Sequence, residues 1–198
     1  MRALIVVDLQ NDFCKDGSLE VPNANEIIPF VNKLTKDPKY NLVILTQDWH
    51  PADHKSFYTN HIDKNVFDVI NLNGQNQTLW SPHCVQDTYG AEFHKDFDLN
   101  IPNVYIFKKG MNTEVDSYSG FYDNDHINNT GLTKFLKEKN IKDVDVVGLA
   151  TDYCVSATAI DSVKEGFNTT VLLKGCRGIA VDQTATIQNL KDNGVKVI

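Results

Sequence analysis

An α/β fold, with a mostly parallel central sheet of about six strands and helices on both faces, is predicted by three observations. Short apolar, β-branched runs recur along the chain, at residues 3–7, 42–46, 104–107, 144–149, 169–173 and 195–198. Helix-like segments lie between several of them, the alternation that builds parallel sheets. Most of the runs are continuous rather than alternating, as in strands buried on both faces.

The first strand follows Met1 and Arg2 and ends on Asp8, too early for a secretory apolar segment. A first helix is expected with Asn25 as cap, Pro29 in the first turn, and Ile27, Val31 and Leu34 along one side. A second begins near Thr130, with Leu132, Phe135 and Leu136 as its apolar face. A third follows Cys154, with Val155, Ala159 and Val163 inward and Gly166 just past its end. The last starts after Asp182 and stops at Gly194, with Ile187 and Leu190 apolar. Residues 48–103 break this rhythm. They are rich in His, Asp, Asn, Pro and aromatics and read as a long irregular insertion, a feature usually tied to function. The chain, at 198 residues, is expected to form a single domain, 1–198, carrying that insertion at about 48–103.

Composition excludes some functions. Apolar content of 41% and charged content of 23% are ordinary for a soluble globular protein. A net charge of -7 argues against a nucleic-acid partner. No stretch approaches the roughly 20 apolar residues of a membrane span. Cys14, Cys84, Cys154 and Cys176 are widely spaced and form no CxxC pair, so a reducing cytoplasm is the expected setting.

Three reactive residues fall at predicted strand ends: Asp8 after the first, Lys109 after the third and Cys154 after the fourth. Ligands of open parallel sheets bind beyond the carboxyl ends of the strands. Cys154 is expected at a helix start, where backbone dipoles favour a thiolate. Asp8 would accept the thiol proton and later return it to a leaving amine. Lys109 would place positive charge between the two and lower the thiol pKa. Cys154 would attack a carbonyl to form an acyl-enzyme, and backbone N–H groups near Ala150 and Cys154 would bind the oxyanion. Cys14, Cys84 and Cys176 are expected to be small core residues.

After the second strand, Asp48 and His50 stand two apart in extended chain, so both side chains point the same way. His54 follows one short turn on, and His83 could close the site from the insertion. Such a set suits one divalent ion, with Zn²⁺ first and Fe²⁺ or Mn²⁺ as alternatives. Four of the six histidines lie between residues 50 and 83, which favours a built site over scattered polar residues. His61 and His94 have no partner pattern and are expected at the surface. Cys84 neighbours His83, but the Asp-x-His pair makes an N/O site more natural. Phe13, Trp49, Trp80, Tyr118 and Tyr153 sit in or beside these motifs and are expected to form a flat pocket.

The motifs resemble the nicotinamidase branch of the isochorismatase-like cysteine hydrolases. They are the run from Ala3 through Asp8-Leu9-Gln10-Asn11-Asp12 to Phe13, then Thr46-Gln47-Asp48-Trp49-His50-Pro51, Trp80-Ser81-Pro82-His83-Cys84-Val85, Lys109-Gly110, Tyr118-Ser119-Gly120-Phe121, and Gly148-Leu149-Ala150-Thr151-Asp152-Tyr153-Cys154-Val155. They occur in the family's order over nearly the whole chain. The resemblance implies the isochorismatase-like hydrolase fold, an Asp8–Lys109–Cys154 triad, and metal ligands at Asp48, His50 and His83. His54 matches a histidine that binds metal in some members and not in others. Phe13, Trp80, Tyr118 and Tyr153 match positions lining a pyridine pocket. A cis peptide is implied before Thr151. The implied reaction is hydrolysis of nicotinamide to nicotinate and ammonia in NAD salvage, with pyrazinamide as a further substrate and either a monomer or a homo-oligomer. Residues 111–116 form a longer segment than the equivalent loop in some bacterial members, and the insertion after His54 is long too.

Three other readings compete. A carbamoyl- or ureido-cleaving relative would keep the triad, but such relatives generally lack the Asp-x-His plus His set. A silent binding module on this fold has no support, because all three triad positions are filled. A dinucleotide-binding domain would need a GxGxxG after the first strand, and none is present.

Overall fold

The computed structural model describes residues 1–198. Its strands are β1 (Arg2–Val7), β2 (Leu42–Asp48), β3 (Val69–Leu72), β4 (Gln75–Thr78), β5 (Val104–Lys109), β6 (Asp143–Leu149), β7 (Asn168–Arg177) and β8 (Lys196–Val197). Six of them form one sheet in the order β5-β2-β1-β6-β7-β8. Every neighbouring pair in it is parallel. β1 and β2 are buried along nearly their whole length, which explains their unbroken apolar character. β5 departs from that expectation. It is an edge strand, and Tyr105 and Ile106 are exposed on it.

The helices are α1 (Ile28–Leu34), α2 (Leu132–Glu138), α3 (Ser156–Lys164) and α4 (Thr184–Asp192). The chain moves from β1 to β2 to β5 on one side of β1, then returns to β6 and continues to β7 and β8 on the other. Right-handed crossovers then put α1 on one face and α2, α3 and α4 on the other. The path reverses between β1 and β6, and that reversal opens a crevice at their carboxyl ends.

Several local expectations need correction. Asn25 does not cap α1. It lies in a preceding 3-10 turn, Ala24–Ile27, and its side-chain oxygen accepts the Lys15 N–H at 2.8 Å. Residues 48–103 are not wholly irregular, because β3 and β4 form an antiparallel hairpin. Asn73 and Gly74 close it with φ of 52° and 86°, the paired left-handed conformation that Asn-Gly favours. His94 is buried, not superficial; its Nδ1 accepts the Asp96 N–H at 3.2 Å and its Nε2 lies 3.2 Å from the Asn25 amide nitrogen. No helix is long and apolar enough to cross a membrane.

Candidate active site

Strand register brings the reactive residues together. Asp48 is paired with Lys109 at the ends of β2 and β5, and Val7 is paired with Gly148 on β6. The β6–β7 register slips between Val146 and Gly148. Gly148 has φ 122°, and a side chain there would overlap the Val7 backbone, so only glycine lets β6 approach β1 this closely. Beyond it the chain makes one wide π-type turn, Thr151–Val155, which carries Cys154 ahead of α3. The Leu149–Ala150 peptide is cis, one residue earlier than the bond expected before Thr151.

Lys109 sits between the other two reactive groups. Its Nζ is 2.9 Å from Asp8 Oδ2 and donates to Cys154 Sγ at 3.4 Å and to the Ser117 carbonyl at 2.8 Å. It also contacts the Asp48 carboxylate. Asp8 Oδ1 accepts from the Thr46 hydroxyl at 2.6 Å. Asp8, Lys109 and Cys154 are all buried.

Burial pushes the Asp8 carboxyl up to about 6; Lys109 opposes the shift and Asp48 adds to it. Burial alone would pull Lys109 down, but Asp48 and Asp8 hold its ammonium well above the usual lysine value. Asp48 is also penalised by burial, yet Lys109 and His50 keep it below the usual carboxylate range. Cys154 goes the opposite way from the sequence expectation. Burial holds the thiol well above its ordinary pKa, Lys109 offsets this only in part, and Asp8 and Asp48 reinforce it. Burial and the two carboxylates beside the sulfur oppose the thiolate that a helix start would favour. Attack by Cys154 therefore requires the proton to leave as the new bond forms.

A second cluster adjoins the first. The His50 N–H donates to the Cys84 carbonyl at 3.0 Å, which draws the segment carrying His83 alongside. Asp48 Oδ2 is 3.5 Å from His50 Nε2 and 3.8 Å from His83 Nε2. Ligands about 2.0–2.2 Å from a tetrahedral zinc stand roughly 3.3–3.5 Å apart, so the three donor atoms are spaced for one ion. His50 Nδ1 is 2.8 Å from the Gly110 carbonyl, and His83 Nδ1 is 2.7 Å from the Ser81 carbonyl. A carbonyl can only accept, so both Nδ1 atoms carry hydrogen, and in the neutral rings that bind a metal both Nε2 atoms present lone pairs. Gly110, with φ 67°, is required there because a side chain would strike the His50 ring. Asp8 and Asp48 share one buried ammonium, Lys109, and a third buried carboxylate, Asp116, lies beside His50, so a divalent cation would balance the excess of negative charge. Cys84 stands apart; its thiol is directed to the Gly90 carbonyl at 3.9 Å.

Both clusters border one cavity, to which Asp48, His83, Ala150 and Cys154 contribute. Phe13, Trp80, Tyr118 and Tyr153 also line it. The Trp80 and Tyr153 rings meet edge to face at 4.8 Å. Trp80 Nε1 and Gln77 Nε2 donate to the Tyr118 hydroxyl at 3.2 and 3.3 Å. Trp49 is not part of the wall; the Lys108 ammonium covers its ring at 3.4 Å. The Ala150 N–H, next to Cys154 on this cavity, donates to no other group of the protein.

A family model described as the isochorismatase domain matches residues 2–198. The chain belongs to the isochorismatase family. It is 44% identical over 187 residues to a nicotinamidase of Acinetobacter baylyi, an alignment covering 94% of this chain and 85% of that relative. Its structure superposes on a yeast nicotinamidase bound to the inhibitor nicotinaldehyde with a TM-score of 0.95 at 34% identity, covering 100% and 99% of the two chains. A Pyrococcus horikoshii pyrazinamidase in complex with zinc gives 0.81 at 36% identity, covering 100% and 98%.

Within this isochorismatase-family site, several side chains escaped the sequence reading. Asp116 borders the cavity, and its Oδ1 is 3.9 Å from His50 Nε2. Asp152 accepts the N–H groups of Ile179 and Ala180 at 3.0 and 2.8 Å, which pins the loop bearing Ile179 against the cavity. Leu19 and Val21 complete the apolar wall. The available signals were weak: Asp116 stands two residues before Tyr118, and Asp152 two before Cys154.

Proposed function

We propose that this chain hydrolyses nicotinamide to nicotinate and ammonia through a thioester on Cys154, as one domain spanning 1–198. One observation carries the reading: a buried Cys154–Lys109–Asp8 group and an Asp48–His50–His83 donor set open onto the same small aromatic cavity. The first breaks an amide, and the second suits a ring nitrogen. The names of the relatives above support the same substrate.

In this account Asp8 takes the Cys154 proton as sulfur adds to the amide carbon, while the Ala150 N–H, with that of Cys154, receives the developing oxyanion. Lys109 stays charged and holds Asp8 and the sulfur in line. Asp8 passes its proton to the amide nitrogen, the C–N bond breaks and ammonia departs. Asp8 then deprotonates water, which adds to the thioester. Nicotinate leaves as the proton returns to Cys154. Asp48, His50 and His83 would hold one divalent ion, Zn²⁺ first, supplying a Lewis acid for the pyridine nitrogen. Pyrazinamide keeps a ring nitrogen in the same meta relation to its carboxamide and is a second substrate. The reaction feeds NAD salvage in the cytoplasm.

Ammonia release from nicotinamide, measured beside an N-carbamoyl amino acid, tests the substrate assignment. Turnover of nicotinamide alone is expected, and preference for the carbamoyl compound would overturn the reading. Chelation should strip about one ion per chain and lower nicotinamide turnover, mainly through a raised KM; full activity in protein free of metal by elemental analysis would refute the ion's role. The pH profile follows from Asp8, which must be ionised to accept the thiol proton. kcat/KM should fall about tenfold per unit as pH drops through an apparent pKa of about 6 or below, since a cation at Asp48 lowers it further. A profile flat from pH 7 to 4 would remove Asp8 from the role of base.

A further inference from the structure

His54 shares the histidine cluster, and its ring centroid is 4.4 Å from that of His50. Its hydrogen bonding is reversed. The Ser56 backbone N–H donates to His54 Nδ1 at 3.1 Å, with the Ser56 hydroxyl at 2.7 Å from the same atom. A backbone N–H can only donate, so Nδ1 carries the lone pair and the neutral ring keeps its hydrogen on Nε2. His50 and His83 face carbonyls through Nδ1 and have the opposite tautomer. His54 Nε2 is buried and completes no hydrogen bond, although the Val115 backbone carbonyl lies close to the ring. One ring nitrogen of His54 groups with ligand atoms of His50 and Asp116, all within 4.8 Å of one another, and His54 falls outside the Asp48–His50–His83 set.

We propose that His54 is a positioning residue rather than a ligand of the cation, its fixed Nε2–H holding Asp116 in place through one bridging water. Two bonds of about 2.8 Å through one water span a separation of this size. The water accepts from His54 and donates to the Asp116 carboxylate, which sets that carboxylate beside His50. Ligation by His54 would require the Nε2 proton to leave and the Ser56 contacts to break or the ring to turn over. The inference rests on the metal reading above for its purpose but not for its tautomer, which follows from the Ser56 contact alone.

Long-range ¹H–¹⁵N spectra of histidine-labelled protein separate the two tautomers. His54 is assigned by loss of its signals in His54→Gln, and His50 and His83 by their own variants. The expected result is an Nε2–H tautomer for His54 with and without added zinc, with Nδ1–H tautomers for His50 and His83 whose Nε2 signals move on zinc addition. An Nδ1–H tautomer for His54, or loss of its Nε2 proton with zinc, would overturn the proposal. Zinc competition against a chelating dye gives a second readout. His54→Gln keeps an N–H donor at the same reach and should hold one zinc within about threefold of the parent affinity, while His54→Leu should lose about tenfold, as removal of an outer partner does. His83→Ala should lose far more than either. Zinc loss in His54→Gln equal to that in His83→Ala would make His54 a ligand. Absence of zinc binding by the parent protein would instead refute the metal reading, and the metal-free spectrum would then decide the tautomer alone.

Discussion

Replacing Cys154 with alanine is expected to reduce ammonia release from nicotinamide by about 10⁴-fold or more, with the fold retained. The sulfur forms the covalent bond to the substrate, and no other nucleophile takes its place. Ser156 is turned away, with its hydroxyl bonded to the Thr151 carbonyl, and Ser117 directs its own to the carbonyls of Ser119 and Tyr122. Binding and the oxyanion donor would remain, so a small residual rate is consistent with the account. The change removes one buried sulfur from a cavity wall and should cost only about 1 kcal/mol of stability, read from thermal denaturation. Unchanged turnover in the alanine variant would remove Cys154 from the role of nucleophile.

Asp8→Asn should be nearly as damaging, at about 10³–10⁴-fold in kcat/KM, for a reason specific to this site. The Cys154 thiol pKa is raised by burial and by its neighbouring carboxylates, so sulfur attacks only as a base takes its proton. Asparagine preserves the shape and can still accept from Thr46, but it accepts no proton. It also turns an amide N–H toward Lys109 or loses the Thr46 contact, since it has one acceptor oxygen where the carboxylate has two. Because Asp8 and Cys154 act on the same proton, the double variant should be little worse than Cys154→Ala alone. A loss below about tenfold in Asp8→Asn would assign the base elsewhere.

Much of the frame was legible because it depends on local pattern. Continuous apolar runs marked β1, β2 and β6, and turn glycines marked the ends of α3 and α4. β7 runs to Arg177, beyond the apolar run at 169–173, because Lys174 and Gly175 interrupt the pattern while the backbone continues to pair with β6. The β3–β4 hairpin was hidden by polar residues in β4, although Asn73-Gly74 was a usable turn signal. Asp8, Lys109 and Cys154 were singled out because each follows or closes a strand. The state of the thiol was not legible, since it depends on how deeply the sulfur is enclosed and on which carboxylates face it. Asp116, Asp152 and buried His94 depend on loops whose course is set by tertiary contacts, so no spacing rule reaches them.

The central claim is a covalent intermediate on one particular cysteine out of four. Acid quenching during steady turnover of nicotinamide, followed by mass spectrometry of the cysteine-bearing peptides, reads it directly. The account expects a nicotinoyl group on the peptide containing Cys154 and unmodified peptides for Cys14, Cys84 and Cys176. A nicotinoyl group on one of those three cysteines, or full turnover with no acylated cysteine under conditions that trap a synthetic thioester, would contradict it.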